Sequence, residues 1–349
     1  MSEFTLARLG WTEEREAEWD RSGDLVPGRV AVEHRSAYVV YTEEGEVWAE
    51  LAGRLRHLGE LPAVGDWVAV RPPATIAAVL PRRSAFTRRE PLETAEQVLA
   101  VNADTVFVVI ALTDRDFKLR RLERYLATAW ESGAQPVIVL TKTDLCADVG
   151  GAVAETESVA FGVPVHALSA VTGEGVEGLR PYFAPGQTVA LLGSSGVGKS
   201  TLVNRLAGRE LLATQEIRTD GRGRHTTTHR ELVLLPDGGL VLDTPGLREL
   251  QLWDASDGVE QTFEDVAALA AGCRFSDCAH EREPGCAVQA AISGRALPRE
   301  RFESYQKLQR ELAHLERRVN QQAQVEYGQQ IRRDARRRRR TQRAPRRRA

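Results

Sequence analysis

The first hundred residues carry short apolar runs that are separated by glycine and proline. Five of these runs have the length and alternation of β-strands, and they cover residues 28–33, 37–42, 46–51, 66–71 and 75–80. Gly45, Gly53, Gly59, Gly65 and the pair Pro72-Pro73 punctuate them. Closely spaced short strands of this kind predict a small β-barrel, and the five-stranded OB-fold is the leading candidate. A short charged helix over residues 13–19 precedes the barrel.

A different pattern begins near residue 104, where apolar strands and helices alternate. Residues 118–132 place one apolar face on a helix that ends at Gly133. A second helix is expected to run to about residue 161, and a short one lies near 175–182. The strands are predicted at residues 104–112, 136–140, 163–168 and 189–192. This alternation predicts a mostly parallel sheet that is covered by helices on both faces.

The strand at 189–192 leads into the sequence G-S-S-G-V-G-K-S, after which a helix is predicted up to Gly208. Glycines in this pattern let backbone N–H groups surround phosphate oxygens, and the helix N-terminus favours the same negative charge. Lys199 is expected to reach the β- and γ-phosphates, and the Ser200 hydroxyl to bind Mg²⁺. The alternative, a glycine-rich turn without a ligand, does not explain why strand, loop and helix occur together.

A second phosphate-side motif follows a predicted hairpin, whose strands at 231–235 and 240–242 flank the turn P-D-G-G. Asp243 comes directly after the second strand and is expected to hold Mg²⁺, with the Gly246 N–H near the γ-phosphate. Between the two motifs, the polar segment 214–230 has the character of a first switch, and one of Thr226, Thr227 or Thr228 is expected to complete the Mg²⁺ shell.

Hydrolysis by this chain is expected to be slow on its own. Leu247 stands where many GTPases carry a glutamine that orients the attacking water, and leucine cannot make that hydrogen bond. His225 is a candidate for positioning the water, because histidine does acid–base chemistry near neutral pH. The catalytic candidates are therefore Lys199, Asp243 and His225.

The sequence T-K-T-D after the strand at 136–140 resembles the motif that distinguishes guanine from adenine. Asp144 can accept two hydrogen bonds from guanine, and adenine lacks that donor pair. Thr141 replaces the usual asparagine, and the Lys142 stem would pack along the base. Ser169-Ala170 matches a weaker loop that closes over the base. The predicted GTP-binding residues are Thr141, Lys142, Thr143, Asp144, Ser169, Ala170, Gly193, Ser194, Ser195, Gly196, Val197, Gly198, Lys199, Ser200, Thr201 and Gly246.

The base-reading motif precedes the phosphate loop in this chain, whereas it comes last in an ordinary small GTPase. The order indicates a circularly permuted GTPase, and permutation preserves a compact core whose termini lie close together. One consequence is that the segment after Asp243 leads directly into the next domain.

Three of the four cysteines fall in the pattern C-x4-C-x-H-x5-C. Cys273, Cys278, His280 and Cys286 offer three thiolates and one imidazole, the donor set of a structural zinc site. A disulfide with incidental residues is the alternative, which a reducing compartment disfavours. Cys146 is expected to be a small buried apolar residue. Helical sequence flanks the cluster at 260–271 and from Pro298 to about Gln330.

Charge is distributed unevenly along the 349 residues. Residues 332–349 carry eleven arginines and one aspartate, and a whole-chain charge of −2 therefore leaves −12 on residues 1–331. Such a tail is expected to be disordered and to contact phosphates. Arginines at 82–83 and 88–89 also favour contact with RNA, although a protein-binding or structural barrel is the alternative. No apolar run reaches the eighteen residues of a membrane helix.

The predicted fold class is multidomain α/β. It comprises an N-terminal helical extension (1–25), an OB-fold barrel (26–90), a circularly permuted GTPase domain with a phosphate-binding loop (91–250), a helical zinc-binding domain (251–331) and the arginine-rich tail (332–349).

The barrel, the permuted order of the nucleotide-binding motifs and the cysteine spacing together closely resemble the RsgA (YjeQ) family of circularly permuted GTPases. The resemblance extends from about Pro27 to the helix after Cys286. The family's segment G-R-H-T-T-T stands at 223–228. The resemblance implies a GTPase that binds the small (30S) ribosomal subunit and its 16S rRNA, assists late maturation, and is stimulated by the subunit. It also implies one structural Zn²⁺ and Mg²⁺ with GTP, in a cytoplasmic protein. We further expect a monomer that exchanges GTP and GDP and does not contact membranes.

Two other functions remain open from the residues alone. A nucleotide-gated RNA clamp with negligible hydrolysis would agree with Leu247. An ATPase or nucleotide kinase would use the same phosphate loop, and a guanine preference that depends on Asp144 would argue against it.

Overall fold

The computed structural model describes residues 4–19, 23–89, 96–113, 116–212, 230–243, 256–315 and 317. His225, Thr226, Thr227, Thr228, Gly246, Leu247 and the tail at 332–349 therefore lie outside the described residues.

Five strands near the N-terminus close into a barrel, as the alternation predicts. They are β1 (Val26–Glu33), β2 (Tyr38–Thr42), β3 (Gly45–Leu51), β4 (Trp67–Arg71) and β5 (Thr75–Val79), with helix α2 (Gly53–Leu58) between β3 and β4; helix α1 (Glu13–Glu18) precedes them. The strand order is β1-β2-β3-β5-β4, and β4 closes the barrel by pairing back onto β1. Inward-facing side chains such as Val30, Val68 and Ile76 fill the interior.

The second region contains the parallel sheet that strand and helix alternation predicts. Strands β8 (Thr105–Ala111), β9 (Gln135–Thr141), β10 (Val165–Ala167), β11 (Thr188–Leu192) and β13 (Leu240–Asp243) run parallel in the order β10-β9-β8-β11-β13. Helices α3 (Leu119–Glu131) and α4 (Val149–Glu157) pack on one face, and α5 (Lys199–Ala207) and a 3₁₀ helix (Val176–Phe183) on the other. Both faces are therefore buried, which explains the continuous apolar strands.

The barrel and the parallel sheet are joined, which the pattern did not predict. Strand β12 (Glu231–Leu234) pairs with β13 on one side and meets β1 at Val32↔Glu231 on the other. A separate antiparallel pair, β6 (Ala85–Arg89) and β7 (Glu96–Val101), lies on either side of the predicted boundary between the barrel (26–90) and the GTPase domain (91–250). Strands β1 and β12 lie far apart in the sequence, and pairing between such distant strands leaves no periodic signal in either segment.

Asn102 organises the junction between the barrel and the sheet. Its side-chain oxygen accepts hydrogen bonds from Arg15 Nη2 and from the Arg83 N–H, both at 2.9 Å, and its amide donates to the Gly65 carbonyl at 3.1 Å. Its backbone carbonyl accepts from Arg29 Nη2 at 2.9 Å, and the same guanidinium bonds the Leu9 carbonyl. The N-terminal segment is thus packed into the junction, with Leu9 fully buried.

The C-terminal lobe is helical. Its helices are α6 (Ser256–Thr262), α7 (Glu264–Ala270), α8 (Ala287–Ser293) and a helix over residues 299–315. The helical sequence predicted over 260–271 is present, but it forms two helices, because the chain leaves helical geometry at Phe263, whose ring is fully buried in the core of the lobe. Helix α8 begins directly after Cys286. The expected continuation of the last helix to Gln330 lies beyond the described residues.

Candidate nucleotide-binding site and cysteine cluster

The phosphate loop connects the end of β11 to the start of α5. Gly193 has φ +152°, and a Cβ there would lie 2.3 Å from the Val109 carbonyl oxygen on the neighbouring strand. Gly198, with φ +97°, turns the chain into α5, which begins at Lys199. Glycine is required at both positions, because other residues rarely adopt this backbone and the first would also clash. The loop therefore places its N–H groups at the helix N-terminus, as an anion site requires.

Lys199 is held inside the loop. It is 8% exposed, and its ammonium donates to the carbonyls of Gly193 and Ser194 at 2.6 Å each. Ser200 and Thr201 follow in the first turn of α5 and are half-buried, whereas Ser195 and Gly196 are exposed at the rim. The lysine side chain thus lies inside the loop that the sequence predicts to bind phosphates.

Asp243 is the last residue of β13, beside the phosphate loop. β13 runs parallel to β11 with Leu242 opposite Ala190, so the half-buried carboxylate of Asp243 emerges where the loop begins. Because carboxyl ends of parallel strands meet at one edge, this is where ligands bind in open α/β sheets. The magnesium candidates Ser200 and Asp243 lie at this edge. The described residues do not include Thr226, Thr227, Thr228, Gly246 or His225, the candidate for positioning the attacking water.

Thr141 connects the base-reading loop to the phosphate loop. Its side chain is buried, and its hydroxyl donates to the Val197 carbonyl at 2.6 Å, with the Ile110 carbonyl at 3.3 Å. Lys142 then adopts a left-handed conformation with φ +62°, which turns the chain into a short 3₁₀ helix carrying Asp144. Asp144 is exposed, and Thr143 presents a buried hydroxyl without a partner among the described residues. The Thr141 hydroxyl thus joins the base-reading loop directly to the phosphate loop.

The loop after β10 lies against the base-reading loop. The Thr143 N–H donates to the Leu168 carbonyl at 3.3 Å, and Ser169 is fully buried, with its hydroxyl accepting from the Thr172 N–H at 3.2 Å. Ala170 is half-buried beside it. Burial lowers the pKa of His166, whose Nε2 lies 3.1 Å from the Tyr182 hydroxyl. The Thr143–Leu168 hydrogen bond therefore brings together the two segments that the sequence assigns to binding of the base.

Cys273, Cys278, His280 and Cys286 come together between α7 and α8, with one ligand atom from each residue within 4.8 Å of all the others. His280 Nδ1 lies 3.5 Å from the sulfurs of Cys273 and Cys286, which are 3.9 Å apart. A tetrahedral zinc with Zn–S of about 2.3 Å and Zn–N of about 2.0 Å requires edges of about 3.5–3.8 Å. The donor set and spacing fit zinc. The sulfur separation is too long for a disulfide, which needs about 2.05 Å.

Comparison with known proteins agrees with this geometry. A family model described as RsgA GTPase matches residues 79–253. A protein from Opitutus terrae named small ribosomal subunit biogenesis GTPase RsgA is 53% identical over 339 residues, which cover 91% of this chain and 92% of that protein. The chain belongs to the RsgA GTPase family.

Further relatives and solved structures extend the match. A protein from Lactiplantibacillus plantarum named small ribosomal subunit biogenesis GTPase RsgA 2 is 46% identical and covers 89% of this chain and 90% of its own. The crystal structure of YjeQ from Thermotoga maritima matches with a TM-score of 0.63 and 29% identity, over 83% of this chain and 99% of that one. YloQ, described as a circularly permuted GTPase, shares the fold at a TM-score of 0.60 and 23% identity, over 85% of this chain and 98% of that one. The permuted order of the RsgA fold is therefore present here.

Two arginines that the sequence assigns to RNA contact have internal partners in this RsgA chain. Arg82 binds both carboxylate oxygens of the buried Asp66, at 2.9 and 2.7 Å. Arg83 binds Glu14 at 2.7 Å and the Thr12 hydroxyl at 2.8 Å. These contacts hold the barrel end and the N-terminal helix together, and both arginine side chains stay partly exposed, so contact of this pair with RNA stays a prediction. A basic pair looks the same in sequence whether its partners are phosphates or distant carboxylates.

One contact near the phosphate loop was not expected from sequence. Tyr125, placed only on the apolar face of α3, brings its hydroxyl 3.0 Å from Ser194 Oγ of the phosphate loop. Cys146 packs against the core near the base-reading loop, but it is half-buried and not fully buried as the sequence predicted. Within the part of the chain that the structure describes, no helix has the length and apolar character needed to cross a bilayer.

Proposed function

We propose that this protein hydrolyses GTP to GDP and phosphate while it is bound to the small ribosomal subunit, and that it assists late maturation of that subunit. The observation that carries the nucleotide assignment is the hydrogen bond from Thr141 to the Val197 carbonyl, which joins the base-reading loop to the phosphate loop. Phosphate, metal and base residues then border one site at a single sheet edge. The names of the relatives support the ribosomal partner.

In this proposal each residue has a defined task. Lys199 and the N–H groups of residues 193–200 bind the phosphates, and Asp144 accepts hydrogen bonds from guanine. Ser200, Asp243 and one of Thr226–228 would hold Mg²⁺, which neutralises charge on the phosphates. Ser169 and Ala170 close over the base. His225 positions the attacking water, and the bound subunit aligns that water for attack. This compensates for Leu247, which cannot hydrogen-bond the water.

The cysteine cluster is proposed to hold one structural Zn²⁺. Cys273, Cys278, His280 and Cys286 supply four protein ligands, so no coordination position is left for chemistry. Supporting contacts fix the cluster: Gln289 Nε2 donates to the His280 carbonyl at 2.6 Å. The metal would then stabilise a lobe whose own core is small.

The barrel is proposed to be an OB-fold that contacts 16S rRNA, in a monomeric cytoplasmic protein. Its strand order, closed by β1–β4 pairing, supports the fold assignment. The RNA contact is assigned to the barrel with its arginines at 82–83 and 88–89 and to the arginines of residues 332–349. Salt-dependent affinity for RNA is expected for such contacts.

Guanine selectivity tests the nucleotide assignment. GTP should displace a fluorescent guanine nucleotide from the purified protein far better than ATP does. Asp144→Asn should weaken GTP binding by roughly 10- to 100-fold, because it leaves guanine donors unpaired, and should change ATP binding little. Equal competition by ATP and GTP in the parent protein would rule out a GTPase site.

A further inference from the structure

Tyr125 on α3 contacts the phosphate loop. Its ring is 8% exposed, and its hydroxyl lies 3.0 Å from Ser194 Oγ, at the second position of the loop. A buried hydroxyl keeps its hydrogen-bond partner because leaving it unpaired costs free energy. The position of α3 is therefore tied to the conformation of residue 194.

Ser194 is in turn tied to the phosphate-binding lysine. Lys199 donates to the Ser194 carbonyl at 2.6 Å, while its ammonium is expected to interact with the bound phosphates. Ser194 therefore lies between the group that senses phosphate charge and the tyrosine on α3. A change in the loop of a few tenths of an ångström would strengthen or weaken the Tyr125 hydrogen bond.

The opposite side of α3 is fastened to the C-terminal lobe by a buried ionic network. Glu123 is 2% exposed, accepts from Arg301 Nη1 at 3.1 Å, and is bonded by the Ser304 hydroxyl. Arg301 also binds both oxygens of Asp265 at 2.7 Å and the carbonyls of Thr262 and Val159 at 2.9 and 3.2 Å. All five guanidinium N–H groups have acceptors, so the network fixes the helix over 299–315 against α3.

Other contacts continue this attachment along α3. Arg124 binds Glu311 at 2.6 Å, and Glu131 accepts from the Gly258 N–H at 3.0 Å. At Gly258 an added Cβ would lie 2.0 Å from the Ala127 carbonyl, so α6 touches the backbone of α3. Residues 123–131 span about two helical turns. The lobe is therefore held along most of the helix rather than at one point.

We propose that α3 couples the phosphate loop to the C-terminal lobe, and that Tyr125 is the positioning residue through which the coupling passes. Nucleotide phosphates fix Lys199 and Ser194, Ser194 fixes Tyr125, and α3 carries the constraint to the lobe. The same path operates in reverse when a partner binds the lobe. This inference rests on the proposed nucleotide site, but it does not depend on which partner the lobe binds.

Hydrogen exchange on the full-length, zinc-loaded protein tests the coupling. We expect a non-hydrolysable GTP analogue to slow exchange in the helix over 299–315 of the parent protein. Tyr125→Phe retains the ring and removes only the hydroxyl, so the analogue should still bind, while at least half of that protection is lost. Tyr182→Phe is the matched control. It removes a tyrosine hydroxyl bonded to His166 on the opposite face of the sheet, and it should retain the protection.

The outcomes separate the coupling from the proposed function. Binding of the analogue without any change in 299–315, or full protection in Tyr125→Phe, overturns the coupling. A parent protein that binds no guanine nucleotide overturns the proposed function and the coupling together. Kinetics provide a second test. In Tyr125→Phe, the stimulation of GTP hydrolysis by small subunits, measured relative to the basal rate, should fall about fivefold, because the variant loses one hydrogen bond. Unchanged stimulation also contradicts the coupling, whereas a parent protein that subunits do not stimulate contradicts only the ribosomal assignment.

Discussion

A single threonine hydroxyl joins the base-reading loop to the phosphate loop. Thr141 reaches the Val197 carbonyl and thereby positions Asp144 relative to the phosphate loop. From sequence, Thr141 looks like a departure that weakens the motif. In the structure, the departure preserves the connection between the two loops, because a hydroxyl on a buried strand end is close enough to donate.

Replacing this hydroxyl should weaken nucleotide binding. Thr141→Val has nearly the same shape but leaves the Val197 carbonyl without its donor, so we expect GTP affinity to fall by roughly tenfold. Thr141→Ser retains the donor and should bind within about threefold of the parent protein. Calorimetric titration with GDP and GTP measures both. Equal affinities for the valine and serine variants would show that the hydrogen bond does not support the site.

Loss of Arg301 should strongly destabilise the C-terminal lobe. Arg301→Met leaves Glu123 as an unpaired buried charge, and we expect the free energy of unfolding to fall by about 3–5 kcal/mol. The double variant Arg301→Met/Glu123→Leu should recover most of that loss, because no buried charge remains. Urea unfolding of the parent, single and double variants measures the difference. A double variant as unstable as the single one would contradict this view of the network.

The loss of stability in the Arg301→Met variant should depend on pH. Burial raises the pKa of Glu123, and the Ser304 hydrogen bond and the Arg301 charge oppose that rise. A carboxyl whose pKa is raised by folding stabilises the protein below its ordinary pKa, and this contribution is lost as pH rises through the folded pKa. Removing Arg301 raises that pKa further, so the destabilisation should be larger at pH 7.5 than at pH 5. An equal loss at both pH values would show that charge is not its cause.

At the scale of elements, close packing of α3 on α6 depends on a glycine. Gly258→Ala would place a Cβ 2.0 Å from the Ala127 carbonyl, so the helices must separate. We expect a loss of roughly 2 kcal/mol or more in the stability of the lobe. Gly150→Ala on α4 is the matched control, because its Cβ would meet no atom closer than 3.9 Å, and the change should be neutral or stabilising. Thermal unfolding compares the two, and similar losses would contradict the packing argument.

Metal removal tests the element that the cysteines organise. Cys278→Ser, or chelation of the parent protein, should unfold α7 and α8 and lower their protection from hydrogen exchange, because such a cluster supplies folding free energy on binding. The nucleotide affinity should change much less, since the phosphate loop lies on another element. Elemental analysis should give about one zinc per chain. A chelated protein with unchanged exchange in α7 and α8 would contradict a structural role for the metal.

The local sequence pattern predicted most of the strands and helices well. It could not predict features that depend on contacts between residues far apart in the chain. Alternation in 28–33 and the continuous apolar run at 104–112 are signals carried by neighbouring residues, so the bounds of these strands were predicted close to those observed. The break at Phe263 was not, because it depends on burying one ring in a core assembled from several helices. The roles of Asn102 and Tyr125 were also missed, since their partners lie far away in the chain.

For the whole molecule, the permuted order provides two routes between the nucleotide and the C-terminal lobe. One is covalent, because the chain that leaves β13 at Asp243 leads into α6. The other is the packing of α3 against both the phosphate loop and the lobe. In an ordinary order the segment after the aspartate would return to the same domain. Permutation therefore places an external lobe where it can respond to bound phosphates.

Single-turnover release of phosphate from GTP, with and without purified small ribosomal subunits, tests the proposed function most directly. We predict slow release by the protein alone and an increase of at least tenfold with subunits, and no release by Lys199→Ala in either condition. Large subunits serve as the control and should leave the rate unchanged. A rate that small subunits do not raise, in protein that binds GTP and carries zinc, would contradict a GTPase driven by the small subunit.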